Sequence, residues 1–364
     1  MKSRIERDSS IDVLRGIAII MVLAIHASFP FQGQALQVLQ ILQAFSAPAV
    51  LIFFFCSGYC LPSRCSKRLS LSSFSPILRL VTAFFFWSLL SSFLAWIICT
   101  ISSACPWITI RQQLFTFDLD GIPGSRISFQ LYFLAAMAVI RLLDLIFYQW
   151  RILGRFSFSG VHIILAILAL IVVGLPPEWH GPYWSNFVIY LFSFGIGRIS
   201  KEFNLSSLHE KASNFISGLP FELNKLLWIP SLFIVFVLFW NPDPSLTGLI
   251  LLPCYFPAAF LLCRQSKEYS STVYQLLGVV GMLSGGVFLL HAPFLSSVLF
   301  KAYNLAFPVN LFFSPLVYIL LLLIASAGLL VVCRSFLPRS LFKWLLLTDD
   351  LLPAPLRRWS GTRL

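Results

Sequence analysis

Charge is what this sequence has least of. Only 11% of its 364 residues are Asp, Glu, Lys or Arg, while 58% are hydrophobic. Soluble domains carry about a quarter charged residues, so this chain has too few to coat a water-facing surface. That excludes a disordered tail protein and argues against a cytosolic enzyme. Long hydrophilic stretches are missing as well: the longest, Ser200 to Lys225, is too short to be a catalytic domain. Neither an internal repeat nor a Gly/Ser linker divides the chain. Acidic residues number 14, and only Asp12 and Asp144 come near the apolar runs. Mechanisms built on paired carboxylates, or on buried acids relaying protons, find little to use. The eight cysteines show no disulfide framework and no zinc spacing. Cys56, Cys60 and Cys65 lie at a cytoplasmic helix end without a histidine near them in sequence. Cys254, Cys263 and Cys333 read as small hydrophobes, and Cys99 and Cys105 lie near the outer face, where a pairing stays open. No metal site is expected.

What the sequence has in abundance is long apolar runs. A membrane-crossing helix needs about 20 such residues, and with loops of about 15 this length allows roughly ten crossings. Ten runs are found, near 13–31, 45–61, 77–99, 129–148, 158–174, 183–199, 226–240, 245–263, 278–300 and 310–333. They are continuous rather than alternating, which excludes a barrel and selects helices that satisfy their own backbone. The expected fold is an all-α polytopic membrane protein, a bundle of about ten transmembrane helices. Its net charge of +12 and pI near 9.5 fit cytoplasmic loops better than a nucleic-acid surface. With the N-terminus inside, 23 of the 26 Lys and Arg residues fall on the cytoplasmic side, leaving Arg111, Arg126 and Lys301 outside. Both termini are then cytoplasmic. The membrane domain is read as 1–340 and a short basic cytoplasmic tail as 341–364. The basic start imitates a signal peptide, but Glu6, Asp8, Asp12 and Arg15 argue against that reading.

Polar side chains inside a bilayer cost several kcal/mol, so each is a candidate for function. His26 lies midway along the first run and His291 midway along the ninth, at matching depth. The plain alternative for each is an interhelical hydrogen bond. Arg15 precedes His26 by eleven residues, which leaves the two side chains about 20° apart on one helix face and about 16 Å apart along the axis. A cation at the cytoplasmic surface is thereby aligned with a neutral base near the middle of the membrane. That arrangement suits a long thioester donor, with phosphates at Arg15 and the reacting carbonyl by His26. Asp12 is placed to hold the Arg15 guanidinium, and a snorkelling interfacial Arg with a charge partner is the plain alternative. Arg79 lies within the third apolar run and must face something polar, for which a phosphate is the favoured partner. Arg64, Lys67 and Arg68, in a loop, set topology.

These residues resemble an integral membrane family, acyltransferase-3. Arg15, ten intervening residues and His26, within Ile-Asp-Val-Leu-Arg-Gly-Ile-Ala and beyond, are similar to its first helix. Phe53 to Tyr59 resembles its Ser-Gly-aromatic motif and contains Ser57. Ile-Leu-Arg-Leu around Arg79 is similar to its basic third-helix start. Phe129 to Leu134 resembles its Leu-Trp-Phe-Leu stretch, with Tyr132 in the usual place of Trp, and Ser284 to Pro293 resembles its late His-x-Pro motif. The likeness runs in order from residue 11 to 295. Pro76, Gly285 and Phe288 depart from the family pattern, which bears on donor contacts and on substrate choice.

The resemblance implies acyl transfer, often acetyl, from cytosolic acyl-CoA to a hydroxyl of a cell-envelope sugar at the outer face. His26 would be the catalytic base, and Arg15 and Arg79 would hold the donor's phosphates. Asp12, Ser57, Tyr132 and His291 would line or support the site. It also implies no resident cofactor, acyl-CoA as donor substrate, a glycan or lipid-linked sugar as partner, and a multi-pass protein of a bacterial inner membrane. The periplasmic extension of some relatives is not expected. The competing reading is a transporter or exporter of a small acidic or acylated metabolite, against which the spans lack acidic coupling residues. Between the first two runs, Gln32, Gln34, Gln37, Gln40 and Gln43 offer amides that both donate and accept, as sugar hydroxyls require. The plain alternative, an ordinary polar interfacial helix, is the favoured reading.

Overall fold

The computed structural model describes residues 8–27, 31–46, 48–61, 74–102, 131–149, 182–202, 271–291 and 311–347, with single positions at 295, 299 and 303. Among the described residues there are nine helices and no strand. They are α1 (Ser9–His26), α2 (Gly33–Ser46), α3 (Ala49–Cys60), α4 (Ser75–Ser102), α5 (Tyr132–Gln149), α6 (Pro182–Glu202), α7 (Ser271–Leu290), α8 (Ser314–Phe336) and α9 (Arg339–Leu346). Four stretches are long and apolar enough to cross a membrane: Ser9–His26, Gly33–Cys60, Thr272–Leu290 and Ser314–Phe336. Seven of the expected apolar runs carry helices, namely α1 and α3 to α8. The runs near 158–174, 226–240 and 245–263 lie outside the described residues.

Local chemistry explains where the boundaries differ from expectation. The first helix starts at Ser9 because Asp8 caps it, its carboxylate accepting the Ser10 N–H at 3.0 Å. The glutamine-rich segment is helical as α2, entered through Gly33 at a φ of +57°, a conformation that side chains resist. Pro48 stands at the N-cap of α3, so the helix of the second apolar run begins at Ala49, four residues later than the hydropathy suggests. At the other end, residues 341–346 of the stretch read as a tail form most of α9, and Phe342, Leu345 and Leu346 are buried. On α8, Tyr318, Leu322, Ser326 and Leu330 are buried while Leu316, Leu320 and Ile324 are exposed. Apolar residues on both faces are what a helix between protein and lipid requires.

Two helix pairs place the backbones in direct contact. Helices α1 and α7 run parallel in a fixed register, each α1 residue facing one about 265 positions later: Ser9 and Tyr274, then His26 and His291. At the crossing, a Cβ on Gly16 would overlap the Leu277 carbonyl, and one on Gly281 would overlap the Asp12 carbonyl. Helices α3 and α6 repeat the device. A Cβ on Gly58 would meet the Phe194 carbonyl, and one on Gly197 the Phe55 carbonyl. Lipid tails are as apolar as leucine, so helices in a bilayer associate through close packing, and glycine permits the closest. Tyr274 adds a polar pin to the first pair, its hydroxyl 2.9 Å from Ser9 Oγ and 3.2 Å from Ser10 Oγ.

Helices α1 and α7 occupy the first and ninth apolar runs and are parallel. The parallel pair α3 and α6 occupies the second and sixth. Leu61, just past α3, has its carbonyl held by Lys201 Nζ at 2.6 Å and Arg198 Nη1 at 3.2 Å, cations meeting a helix C-terminus.

The glycine crossings predict a sharp contrast. Gly16→Val should destabilise the protein by about 1–3 kcal/mol or more, because the obstacle is backbone and cannot repack. Gly328→Ala, where an added Cβ meets nothing within 4 Å, should leave the melting temperature in detergent unchanged. Equal melting temperatures for wild type and Gly16→Val would refute the close crossing.

Candidate functional site

The α1–α7 register brings His26 and His291 together, each at the end of its helix rather than midway along it as the apolar runs suggest. Their ring centroids are 5.3 Å apart with planes inclined at 45°. His291 is fully buried and lies where α7 widens into a π-type turn, a distortion common at functional sites. Its Nδ1 is 3.1 Å from the Val287 carbonyl. A carbonyl only accepts, so in the neutral ring Nδ1 carries the proton and Nε2 presents a lone pair. That Nε2 is buried and has no hydrogen-bond partner among the described residues. His26 closes α1 and is partly buried, and on its far side Gln43 of α2 donates to the Ile25 carbonyl at 3.2 Å. The glutamine segment therefore touches the turn of α1 that carries His26, while Gln32, Gln34, Gln37 and Gln40 are exposed.

Below the histidines lies an aromatic collar. Phe288 is 5.9 Å from the His291 ring and 5.0 Å from Phe133, which meets Phe53 at 5.9 Å and Phe54 at 5.2 Å. Beneath it is a cavity of about 150 Å3 between α1, α3, α5 and α7, with Phe53, Phe133 and Phe288 in its wall. Arg15, Ser57, Arg141 and Ser284 supply its polar side chains, and among the described residues no carboxylate lines it. Arg15 Nη1 is 4.0 Å from Asp12 Oδ1, the expected pairing at its outer limit, and Nη2 donates to Cys60 Sγ at 3.7 Å. Since α1 is unbroken from Ser9 to His26, the rise of about 16 Å between Arg15 and His26 is kept.

The expected site residues thus divide. His26 and His291 meet. Arg15 and Ser57 line one cavity, and Asp12 stands beside Arg15. Tyr132 packs against Tyr190, ring centroids 6.0 Å apart, and does not line the cavity. Arg79 reaches α9 instead: Nη2 donates to the Lys343 carbonyl at 2.8 Å, and Trp87 Nε1 donates to the Leu345 carbonyl at 2.7 Å. Both satisfy carbonyls at a helix C-terminus that has no further turn to use them. Leu347, just past α9 at a φ of +53°, enters the cavity wall. Arg79 Nε is buried with no hydrogen-bond partner among the described residues.

Arg141 is the residue that sequence reasoning passed over. Its Nε and Nη2 both donate to Ser57 Oγ, at 3.1 and 2.9 Å. It had been counted only as a cytoplasmic topology charge. The signal was available, because Arg141 lies inside an apolar run just as Arg79 does. Among the described residues, no group of three His, Cys, Asp or Glu side chains gathers as a metal site would need.

One comparison identifies relatives. The Acyl_transf_3 family model, described as an acyltransferase domain, matches residues 8–344, nearly the whole chain. No curated protein and no solved structure matches.

The Arg79 geometry predicts a measurable change at α9. Arg79→Met removes a charged hydrogen bond worth about 1.5–3 kcal/mol, so local opening of α9 should rise by roughly tenfold or more. Hydrogen exchange of residues 342–346 reads this directly, and unchanged protection would show that Arg79 does not hold the helix.

Proposed function

The chain belongs to the acyltransferase-3 family of membrane acyltransferases, and from that premise we propose that it is an O-acyltransferase carrying an acetyl group from cytosolic acetyl-CoA to a hydroxyl of a cell-envelope sugar. The observation that carries this reading is the contact of His26 with His291 above a cationic cavity. On this reading the donor enters from the cytoplasmic side, with its phosphates at Arg15 and Arg79. Its uncharged arm passes the Phe133–Phe288 collar, and the thioester carbon stands beside His26.

The acceptor hydroxyl gives its proton to His26 as its oxygen attacks the thioester carbonyl. The C–S bond then breaks and the thiolate leaves towards the cytoplasm, taking up a proton. His291 supports this step through its Nε2 lone pair. An N–H on the facing nitrogen of His26 can donate to it, which leaves the other His26 nitrogen as the base. Ser57 and Asp12 hold the two arginines of the cavity in place. Tyr132 backs the aromatic wall through its neighbour Phe133. The same reading makes the protein a multi-pass component of a bacterial inner membrane, with both termini in the cytoplasm. The glutamines of α2 then face the acceptor.

Transfer of radiolabelled acetyl from acetyl-CoA into envelope glycan, by membranes holding equal amounts of wild type and His26→Ala, tests the reading. A positioned general base contributes about 10²–10⁴-fold, so the variant should fall to near background. Equal labelling would remove His26 from the chemistry, and unmodified sugar merely moved across the membrane would mean transport instead. For the acceptor side, Gln37→Ala should raise the acceptor's KM and leave donor use unchanged. An unaltered acceptor KM would take α2 out of the site.

A further inference from the structure

We propose that Arg141, held in position by Ser57, is a binding residue for the phosphates of the acyl donor, gripping them jointly with Arg15 across the cavity. The proposal rests on the acyltransferase reading above and adds a residue to it. Both arginines line one space of about 150 Å3 whose wall, among the described residues, contains no acidic side chain. Arg79 is also close enough for its charge to oppose that of Arg141.

Two acids stand near these cations, Asp12 beside Arg15 and Asp144 close enough to favour the charge of Arg141. Asp12 stands 4.0 Å from Arg15. Asp144, one turn along α5 from Arg141, lies 3.6 Å from Arg198 and is shared with it. Ser57 gives Arg141 a neutral oxygen that occupies Nε and Nη2 and contributes no countercharge. Guanidiniums gathered at low dielectric repel one another, and an anion entering between them relieves that repulsion. A planar guanidinium whose orientation is fixed on one edge presents its remaining N–H groups as a fork, the geometry that matches a phosphate.

Position decides which part of the donor this is. The aromatic collar separates the cavity from the histidines, since Phe288 touches both Phe133 and His291. A thioester reacting at His26 lies beyond the rings. What remains on the arginine side is the charged, distal part of the donor, and the apolar rings suit the uncharged arm between. Ser57 is then a positioning residue acting through Arg141.

The test compares coenzyme A with pantetheine, which has the same arm and no phosphate. Affinities are measured by calorimetry on the full-length protein in nanodiscs, alongside acetyl transfer by the same samples. Wild type should bind coenzyme A far more tightly than pantetheine. Arg141→Met should weaken coenzyme A by about 10- to 100-fold and leave pantetheine within about threefold, as loss of a charged hydrogen bond predicts. Arg141→Lys should recover part of the loss. Ser57→Ala, which keeps every charge, should weaken coenzyme A by about three- to tenfold, and it carries the test if Arg141→Met fails to fold. An Arg141→Met or Ser57→Ala protein that binds coenzyme A as wild type does would overturn the proposal. Wild type that binds neither coenzyme A nor transfers acetyl would fail the acyltransferase reading itself, a distinct result.

Discussion

The contact on which the site depends is the backbone crossing of α1 and α7. Gly16 and Gly281 bring these helices so close that carbonyl oxygens occupy the space a side chain would need. Such a contact fixes register as well as distance, because slipping by one residue would drive a neighbouring side chain into the opposite backbone. Tyr274 pins the same register at one end through Ser9 and Ser10, and His26 meets His291 at the other. A slip of one helical turn, about 5.4 Å, would separate the two imidazoles. On the proposed function, the glycines serve the chemistry by fixing this register, without approaching a substrate.

A second constraint comes from the solvent. Inside a bilayer each polar group needs a partner within the protein, and the arginines of this bundle answer that need in different ways. Arg198 ties off the end of α3 through the Leu61 carbonyl and pairs with Asp144. Arg79 ties off the end of α9. Arg141 is bound by the Ser57 hydroxyl, which satisfies N–H groups without contributing a charge. A helix C-terminus supplies partial negative charge and a hydroxyl supplies none, so on the proposed function Arg141 keeps more of its charge for an anion than Arg198 does.

Much of this was legible in the sequence. Apolar runs located α1 and α3 to α8, since the length a bilayer demands is a strong signal. Depth counting brought His26 and His291 to the same level, although only the glycine register makes them touch. What sequence reading missed has a common cause. The helices α2 and α9 are shorter than a full span and less apolar than the long runs of α1, α7 and α8, and there hydropathy does not separate helix from loop. Arg141 was missed differently. Charge counting assigns a cation to a side of the membrane and says nothing of its partner, so a residue deep in the bundle was grouped with loop residues. Ser57, picked out through a motif, and Arg141, set aside as topology, are one unit in space.

The collar of Phe53, Phe133 and Phe288 gives this division a physical purpose on the proposed function. A thioester beside an activated histidine hydrolyses if water reaches it, whereas the phosphates of the donor are stable in a wet, cationic cavity. Edge-to-face and tilted rings between the two keep the reacting end dry and pass an uncharged arm, and a desolvated site strengthens every electrostatic interaction that acts on the developing oxyanion. Phe288, which departs from the family's usual tyrosine, makes that barrier wholly apolar at the ring that touches His291. A tyrosine there would bring a hydroxyl that needs a partner, and the buried Nε2 of His291 is the nearby acceptor lacking one among the described residues. With phenylalanine in its place, that lone pair stays available to the chemistry.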